Sequence, residues 1–504
     1  MQALKELTLL LQKYNIHPLG QYSAVDKNSK LQEFYEGVLK NAFKTDADAS
    51  AALYEGEVTS SKYRKLKSDL WDRLLESVPL INLDQNQASD YQKAYYNCHK
   101  EWLTVRLLMG QNANTAAMKL ATRLLRQAEK FEFTLLCMDI AAYLRIQYAL
   151  RESNDQKFLK ANEQFTRFKE IYDAESLAEE LYTQLTASYV NNRSAQSKVN
   201  EKAVAYYDQV KEKLDQYATY RLHLYGNLLS MIRFTSLNDY PKVLENCDKA
   251  IAFFKSKPYE ARGPLQIFYY QRLVCNIQLR QFEAGKESAQ YCMELMEEGG
   301  FNWFKYMELY FQLSMHTGRY EEGARILHST LKNSRFEFLP DNAKEIWRIY
   351  ESYVYYLGLL DKVKLPSGYV FKLAKFVNET PIFSRDKSGL NISIIVIRFL
   401  ILLQERKYDK VLDEVETIDR YTYRHLRGKN TRRSYLFIRL LIQIPLGAFD
   451  KGLIYDKAQR YLKRLKALPL NTANQTHEIE VLPYEDLWQF ALGSLNTTNI
   501  KRKK

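Results

Sequence analysis

The sequence predicts an all-α protein in which amphipathic helices stack in consecutive pairs. Three observations indicate this fold. Only 18 Gly and 11 Pro occur in 504 residues, so the chain has few sites for the many turns of a sandwich or barrel. Apolar residues recur at helical offsets of three and four, as at Trp303, Met307 and Tyr310. The third observation is a short segment that recurs along the chain.

The recurring segment consists of a short polar turn, an aromatic residue and an amphipathic helix. The aromatic residues are Tyr240, Phe282, Tyr320 and Tyr408, and the helices that follow them are predicted at 242–254, 283–296, 321–331 and 409–418. With a weaker turn at 360–361, these aromatic residues are spaced by roughly forty residues. Less distinct turns near 112–114, 153–155, 191–192 and 447–449 extend the rhythm. We therefore predict about eight or nine helix pairs between residues 88 and 468, each burying its apolar stripes against its neighbours.

Residues 303–331 resemble a tetratricopeptide repeat. The segment has Trp303 near its start, Gly318 and Tyr320 at the turn, and the small residue Gly323 where two helices cross. The resemblance implies a right-handed α-solenoid of about eight tetratricopeptide-like helix pairs that binds other macromolecules. It specifies a fold and leaves the partner open.

The chain also departs from the family pattern. In the second helices, Gly285 keeps the family's small residue, whereas Val243 and Val411 replace it. In the first helices, larger residues replace the small residue; they are Met231, Leu273, Phe311 and Phe399. The spacing of the turns also exceeds the family's usual length of about 34 residues. We interpret the array as a diverged one with longer helices.

Both ends of the chain differ from the repeat. We expect a helical cap at residues 1–87, the solenoid at 88–470, and a capping helix with a basic tail at 471–504. Within the cap, helices are predicted near 2–14, 28–44, 46–54 and 59–78. Because the first of these is amphipathic, we expect no secretory signal.

The end of the predicted cap admits two interpretations. Residues 46–78 have the order of a helix-turn-helix module, in which Lys62, Arg64 and Lys65 would contact nucleic acid. The alternative is a simple helical cap. The last helix has an expected buried stripe of Tyr63, Leu66, Leu70 and Leu74. This stripe divides the basic residues between its two flanks, which favours the simple cap.

Positive charge is concentrated near the C-terminus. Residues 420–504 contain 17 Lys and Arg against 6 Asp and Glu, in a chain of net charge +13. The candidate partner-binding residues are Arg420, Tyr423, Arg424, Arg427, Lys429, Arg432, Arg433, Lys457, Arg460 and Arg464. They suit an acidic protein segment or, with interleaved tyrosines, the phosphates and bases of nucleic acid. A third interpretation is a solvated loop with a solubilising tail.

The sequence lacks the common catalytic and metal-binding motifs. It has no phosphate-binding glycine loop, no nucleophile elbow and no compact histidine set for a metal. We therefore expect no catalytic residue, no metal, no cofactor and no small-molecule substrate. Five scattered cysteines predict reduced core residues of a cytoplasmic protein. The most apolar run, 392–403, is too short to cross a membrane and predicts a buried helix.

Two functions follow from these patterns. The first is a non-enzymatic cytoplasmic scaffold or adaptor that binds a protein or peptide through a helical-repeat surface. The alternative is a nucleic-acid-associated regulator that uses the N-terminal helices, the basic C-terminal region, or both.

Overall fold

A computed structural model describes residues 1–19, 29–54, 61–83, 88–191, 196–366, 368–378, 391–426, 431–468 and 480–495. These residues contain 22 α-helices and no strand, which confirms the all-α prediction. Within the same ranges, no helix is long and apolar enough to cross a membrane.

The helices follow one another in the order that the turn pattern predicts. The first four are α1 (Gln2–Lys13), α2 (Lys30–Leu39), α3 (Asp46–Tyr54) and α4 (Ser61–Ser77). Then come α5 (Asp90–Gly110), α6 (Asn114–Lys130), α7 (Thr134–Leu150), α8 (Asp155–Asn191), α9 (Gln196–Gln216), α10 (Tyr220–Thr235), α11 (Tyr240–Lys255), α12 (Arg262–Gln278) and α13 (Phe282–Glu294). The remainder are α14 (Phe301–His316), α15 (Tyr320–Lys332), α16 (Asp341–Leu359), α17 (Leu373–Asn378), α18 (Asn391–Gln404), α19 (Tyr408–His425), α20 (Arg432–Leu446), α21 (Lys451–Lys466) and α22 (Tyr484–Gly493).

The predicted second helices of the repeat are confirmed, because α11, α13, α15 and α19 begin at their aromatic residues. The predicted helix at 28–44 is too long. It ends at Leu39, and Asn41 then adopts a left-handed φ of 56°, a conformation that asparagine accepts readily.

Five turns, four of which precede these helices, close with the same backbone hydrogen bond. Their left-handed residues have φ between 54° and 74°; they are Asn238, Arg280, Gly318, Asp361 and Arg406. The N–H of the next residue donates to the carbonyl five residues before it, at 2.9 to 3.0 Å. This is the Schellman closure, which satisfies carbonyls at a helix C-terminus. The left-handed residues recur at intervals of 38 to 45, which confirms the predicted rhythm.

Consecutive helices pack against each other in antiparallel fashion. One close approach lies at Gly323 of α15, where an added Cβ would lie 2.6 Å from Cε of Met315 in α14. The small residue expected at this crossing therefore has a steric reason. The predicted apolar stripe of α14 is buried as well, including Trp303, Met307 and Tyr310.

Contacts divide the chain into two compact units. Unit 1 comprises residues 1–173 with 258–260, and unit 2 comprises 174–257 with 261–504. The long helix α8 contributes its first part to unit 1 and its second part to unit 2. The boundaries expected near residues 87 and 470 stay predictions.

In unit 1, helices α1 to α4 share one apolar core. Phe34 and Tyr63 lie at its centre, with ring centroids 5.8 Å apart. The predicted stripe of α4 is confirmed, since Leu66, Leu70 and Leu74 are buried with Tyr63. These helices therefore form a packed cluster of their own.

Candidate partner-binding surfaces

In unit 1, helices α5 and α7 are joined by a polar contact at Asp139. Trp102 Nε1 donates to one carboxylate oxygen of Asp139 at 2.8 Å, and Arg106 Nη2 donates to the other at 2.6 Å. The Arg106 guanidinium also lies 4.7 Å from the centre of the Trp102 ring, whose edge meets Tyr143. Because both oxygens of Asp139 are bound, this contact holds the two helices in one register.

Exposed apolar side chains flank this contact on both helices. On α5, Leu103 and Leu107 are 56% and 63% exposed, and each follows a residue of the contact. On α7, Leu135 and Ile146 lie four residues before and seven residues after Asp139, which places them on its side of the helix. Both are 49% exposed, and Leu150 beyond them is 79% exposed. Neighbouring helices therefore present apolar rows to solvent.

In unit 2, a later segment of the chain covers part of three helices. Residues 480–493 pack α22 against α18, α20 and α21. The segment buries Tyr484, Leu487 and Trp488, and the ring of Tyr484 stacks on Phe437 of α20 at 4.3 Å. Helix α18 is buried at consecutive positions from Phe399 to Leu403, as the apolar run predicts.

Arg433 attaches this segment to α20. Its guanidinium donates to both oxygens of Glu480, at 3.0 and 2.8 Å, and to Glu485 at 2.8 Å. Nη1 also donates to the carbonyls of Leu465 and Leu468, at 3.2 and 2.8 Å, where α21 ends. The Arg433 side chain is 8% exposed. Arg433 therefore supports the core of unit 2, whereas the other candidate cations among the described residues are exposed.

A histidine joins α14 to the same segment. Nε2 of His316 lies 2.6 Å from the carbonyl oxygen of Glu480, so Nε2 carries the proton and donates it. Complete burial lowers the pKa of His316 to about 4, which keeps the ring neutral near neutral pH. Burial also raises the pKa of the Glu480 carboxyl, against the opposing effect of Arg433.

The remaining basic candidates lie on the surface of unit 2. Arg420, Tyr423 and Arg424 are exposed at the end of α19, and Arg432 is exposed at the start of α20. Lys457, Arg460 and Arg464 are exposed on one face of α21, as their spacing predicts. Within the described part of the chain, no carboxylate lies within ion-pair distance of these three. Arg427 and Lys429 lie outside the described residues.

The N-terminal candidates are exposed too. Lys62, Arg64 and Lys65 lie in the first two turns of α4, away from its buried stripe. On the same helix, Lys67 pairs with Asp46 at 2.8 Å, which joins α4 to α3. The choice between a simple cap and a nucleic-acid-binding module stays a prediction.

All five cysteines are buried, and none of them forms a disulfide. Burial raises the pKa of the Cys98 thiol to about 11. Among the described residues, no group of three or more His, Cys, Asp or Glu side chains could hold a metal ion. An open cavity of about 370 Å³ beside Tyr320 and Phe490 is lined by side chains of both charges.

The apolar rows on α5 and α7 were not among the residues singled out from the sequence. Both helices carry apolar residues over most of their circumference, so periodicity alone does not show which of these residues face solvent. The sequence does carry one signal of an exposed apolar face, since α5 and α7 contain more apolar residues than one buried stripe requires.

Comparisons of the chain with known protein families, with curated proteins and with solved structures found no match.

Proposed function

We propose that this protein is a non-enzymatic adaptor that binds a protein partner on the apolar face of α5 and α7. The observation that carries the proposal is a contrast between the two units. In unit 1, Leu103, Leu107 and Ile146 face solvent on neighbouring helices. In unit 2, the chain's own residues 480–493 cover α18 and α20.

The composition of the α5–α7 face favours a protein over other partners. The centres of protein interfaces are apolar and aromatic and are depleted in charge. Here the charged contact, Asp139 with Arg106, is internally paired, and exposed leucine and isoleucine side chains flank it on both helices. Exposed apolar side chains that are grouped on neighbouring helices mark interaction sites more often than singly scattered ones do.

The geometry of the face suits an amphipathic helix as the bound element. The exposed apolar residues form one row on α5 and one on α7, and a partner helix with apolar residues at offsets of three and four would match them. We extend the proposal to the finer architecture, a right-handed tetratricopeptide-like solenoid, which the recurring turns support. A cytoplasmic address is supported by the five buried cysteines, none of which forms a disulfide.

The experiment compares two double variants of the full chain in affinity capture from lysate. Leu103→Asp with Ile146→Asp places two charges on the proposed face. Leu237→Asp with Leu446→Asp is the matched control in unit 2, where these leucines are 61% and 62% exposed. We expect the first pair to lose proteins that wild type and control retain after nuclease treatment. Identical captured proteins in all three samples would overturn the proposal.

A further inference from the structure

Three helix ends meet at one edge of unit 2. Hydrogen bonds from Arg433 to the carbonyls of Leu465 and Leu468 place the start of α20 against the end of α21. Helix α19 runs antiparallel to α20, since Asp419 near its end pairs with Arg439, two turns into α20. The ends of α19 and α21 therefore lie beside the start of α20.

This edge is strongly basic. We call the following exposed residues the basic edge: Arg420, Arg424, Arg432, Lys463, Arg464 and Lys466. Among the described residues, the carboxylate within ion-pair distance of the basic edge is Glu416, which lies 3.8 Å from Arg420 on the same helix. At that distance and exposure the pair leaves Arg420 available to other anions.

Helix dipoles explain part of this pattern. Cations in the last turn of a helix stabilise it, which accounts for Arg424 in α19 and for Lys463 and Arg464 in α21. Arg432 is different, because it is the first residue of α20, at the positive end of the dipole. The helix dipole therefore does not account for the position of Arg432.

Aromatic rings accompany the cations. Tyr423 is 61% exposed and lies between Arg420 and Arg424 on the surface of α19. The Arg432 guanidinium lies 5.3 Å from the centre of the Tyr435 ring. Cations along a surface with rings beside them are the features by which proteins hold single-stranded nucleic acid, through phosphates and stacked bases.

We propose that the basic edge binds the phosphate backbone of single-stranded nucleic acid. A protein partner fits this edge less well, because protein interfaces need an apolar centre, and the basic edge is built of charged side chains around Tyr423. The composition is the reverse of the α5–α7 face, so the two surfaces take different partners. This proposal does not depend on the proposed adaptor function.

The test measures fluorescence anisotropy of a labelled single-stranded oligonucleotide of mixed sequence with the full chain, at several salt concentrations. Arg420→Ala with Arg424→Ala and Arg432→Ala removes three cations of the basic edge. Lys119→Ala with Arg126→Ala and Lys160→Ala removes three exposed cations of unit 1 and changes the net charge equally. Circular dichroism checks that each variant is folded. Lys463→Gln with Lys466→Gln is a milder second variant of the edge.

We expect wild type and the unit 1 control to bind alike, and the edge variant to bind at least tenfold more weakly. Its slope of log affinity against log salt should decrease by about 2, from roughly 0.7 for each lost phosphate contact with a single strand. No saturable binding by wild type, or equal losses in both triple variants, would overturn the proposal. So would stronger binding of poly-glutamate than of the oligonucleotide in competition, since that result would identify an acidic protein segment as the partner.

Discussion

Arg433 binds both carboxylate oxygens of Glu480, at 3.0 and 2.8 Å, although the two residues are 47 positions apart in the chain. The pair lies in the core of unit 2, with side-chain exposures of 8% and 7%. Glu480 in turn accepts the N–H of Tyr484 at 2.8 Å, where α22 begins. This ion pair therefore attaches the last helix to α20. The segment covers parts of α18 and α20 in unit 2, whereas the leucines of the α5–α7 face in unit 1 are exposed.

Loss of the Arg433 guanidinium is predicted to destabilise unit 2 strongly. Arg433→Met leaves Glu480 buried without its partner, and breaking a buried pair in this way costs about 3 to 5 kcal/mol. Arg432→Met, one residue earlier but exposed, should change the free energy of unfolding by less than about 0.5 kcal/mol. Urea denaturation followed by circular dichroism measures both. Equal effects of the two variants would contradict the structural role of Arg433.

Stability is predicted to depend on the protonation of His316. Its pKa of about 4 in the folded protein lies below the ordinary value of 6.5. The unfolded chain therefore binds more protons between these values, so His316 contributes stability above pH 6.5 that is lost as the pH falls toward 4. The expected loss between pH 7 and pH 4 is about 3 kcal/mol, from 1.36 kcal/mol for each unit of the difference in pKa.

The measurement for His316 is the free energy of unfolding of wild type and of His316→Gln between pH 7 and pH 4. His223, whose pKa burial also lowers to about 4, and Glu480, whose pKa burial raises, titrate in both proteins. The difference between the two curves isolates His316. A difference that stays constant across this range would contradict the prediction.

Two glycines of one repeat are predicted to tolerate asparagine differently. Gly318 has a φ of 74° and open space around it, and Asn238 adopts the same conformation at an earlier turn. Gly318→Asn should therefore change the melting temperature very little. Gly323→Asn instead places a side chain against Met315 and should cost about 1 to 3 kcal/mol. Thermal unfolding of both variants decides this, and equal melting temperatures would show that the helices at Gly323 have room to separate.

The sequence predicts most of the fold because its signals are local. Polar turns, aromatic residues such as Tyr320, and apolar stripes such as that of α14 depend on residues within one helix pair, and the structure confirms them. Whether a cation is exposed or buried depends on residues that are distant in the sequence. Arg432 and Arg433 are adjacent and chemically alike, yet Arg433 is buried because it forms an ion pair with Glu480, 47 residues later in the chain.

The apolar face could not be predicted for a related reason. Helix α7 has apolar residues on most of its circumference, and Leu144 is buried whereas Ile146 is half exposed. That difference depends on which side of α7 meets α5 and α6, and this packing is decided by contacts such as that between Trp102 and Asp139. Periodicity within one helix carries no information about its neighbours.

Site-specific photo-crosslinking tests the central claim most directly. Leu107 on the α5–α7 face is 63% exposed, and Leu237 in unit 2 is 61% exposed. A photoreactive phenylalanine derivative at either position is therefore equally accessible to a partner. We predict a discrete protein adduct from position 107 in nuclease-treated lysate, reduced by Ile146→Asp in the same chain, and no discrete adduct from position 237. Adducts of equal yield at both positions, or at neither, would contradict a partner-binding role for the α5–α7 face.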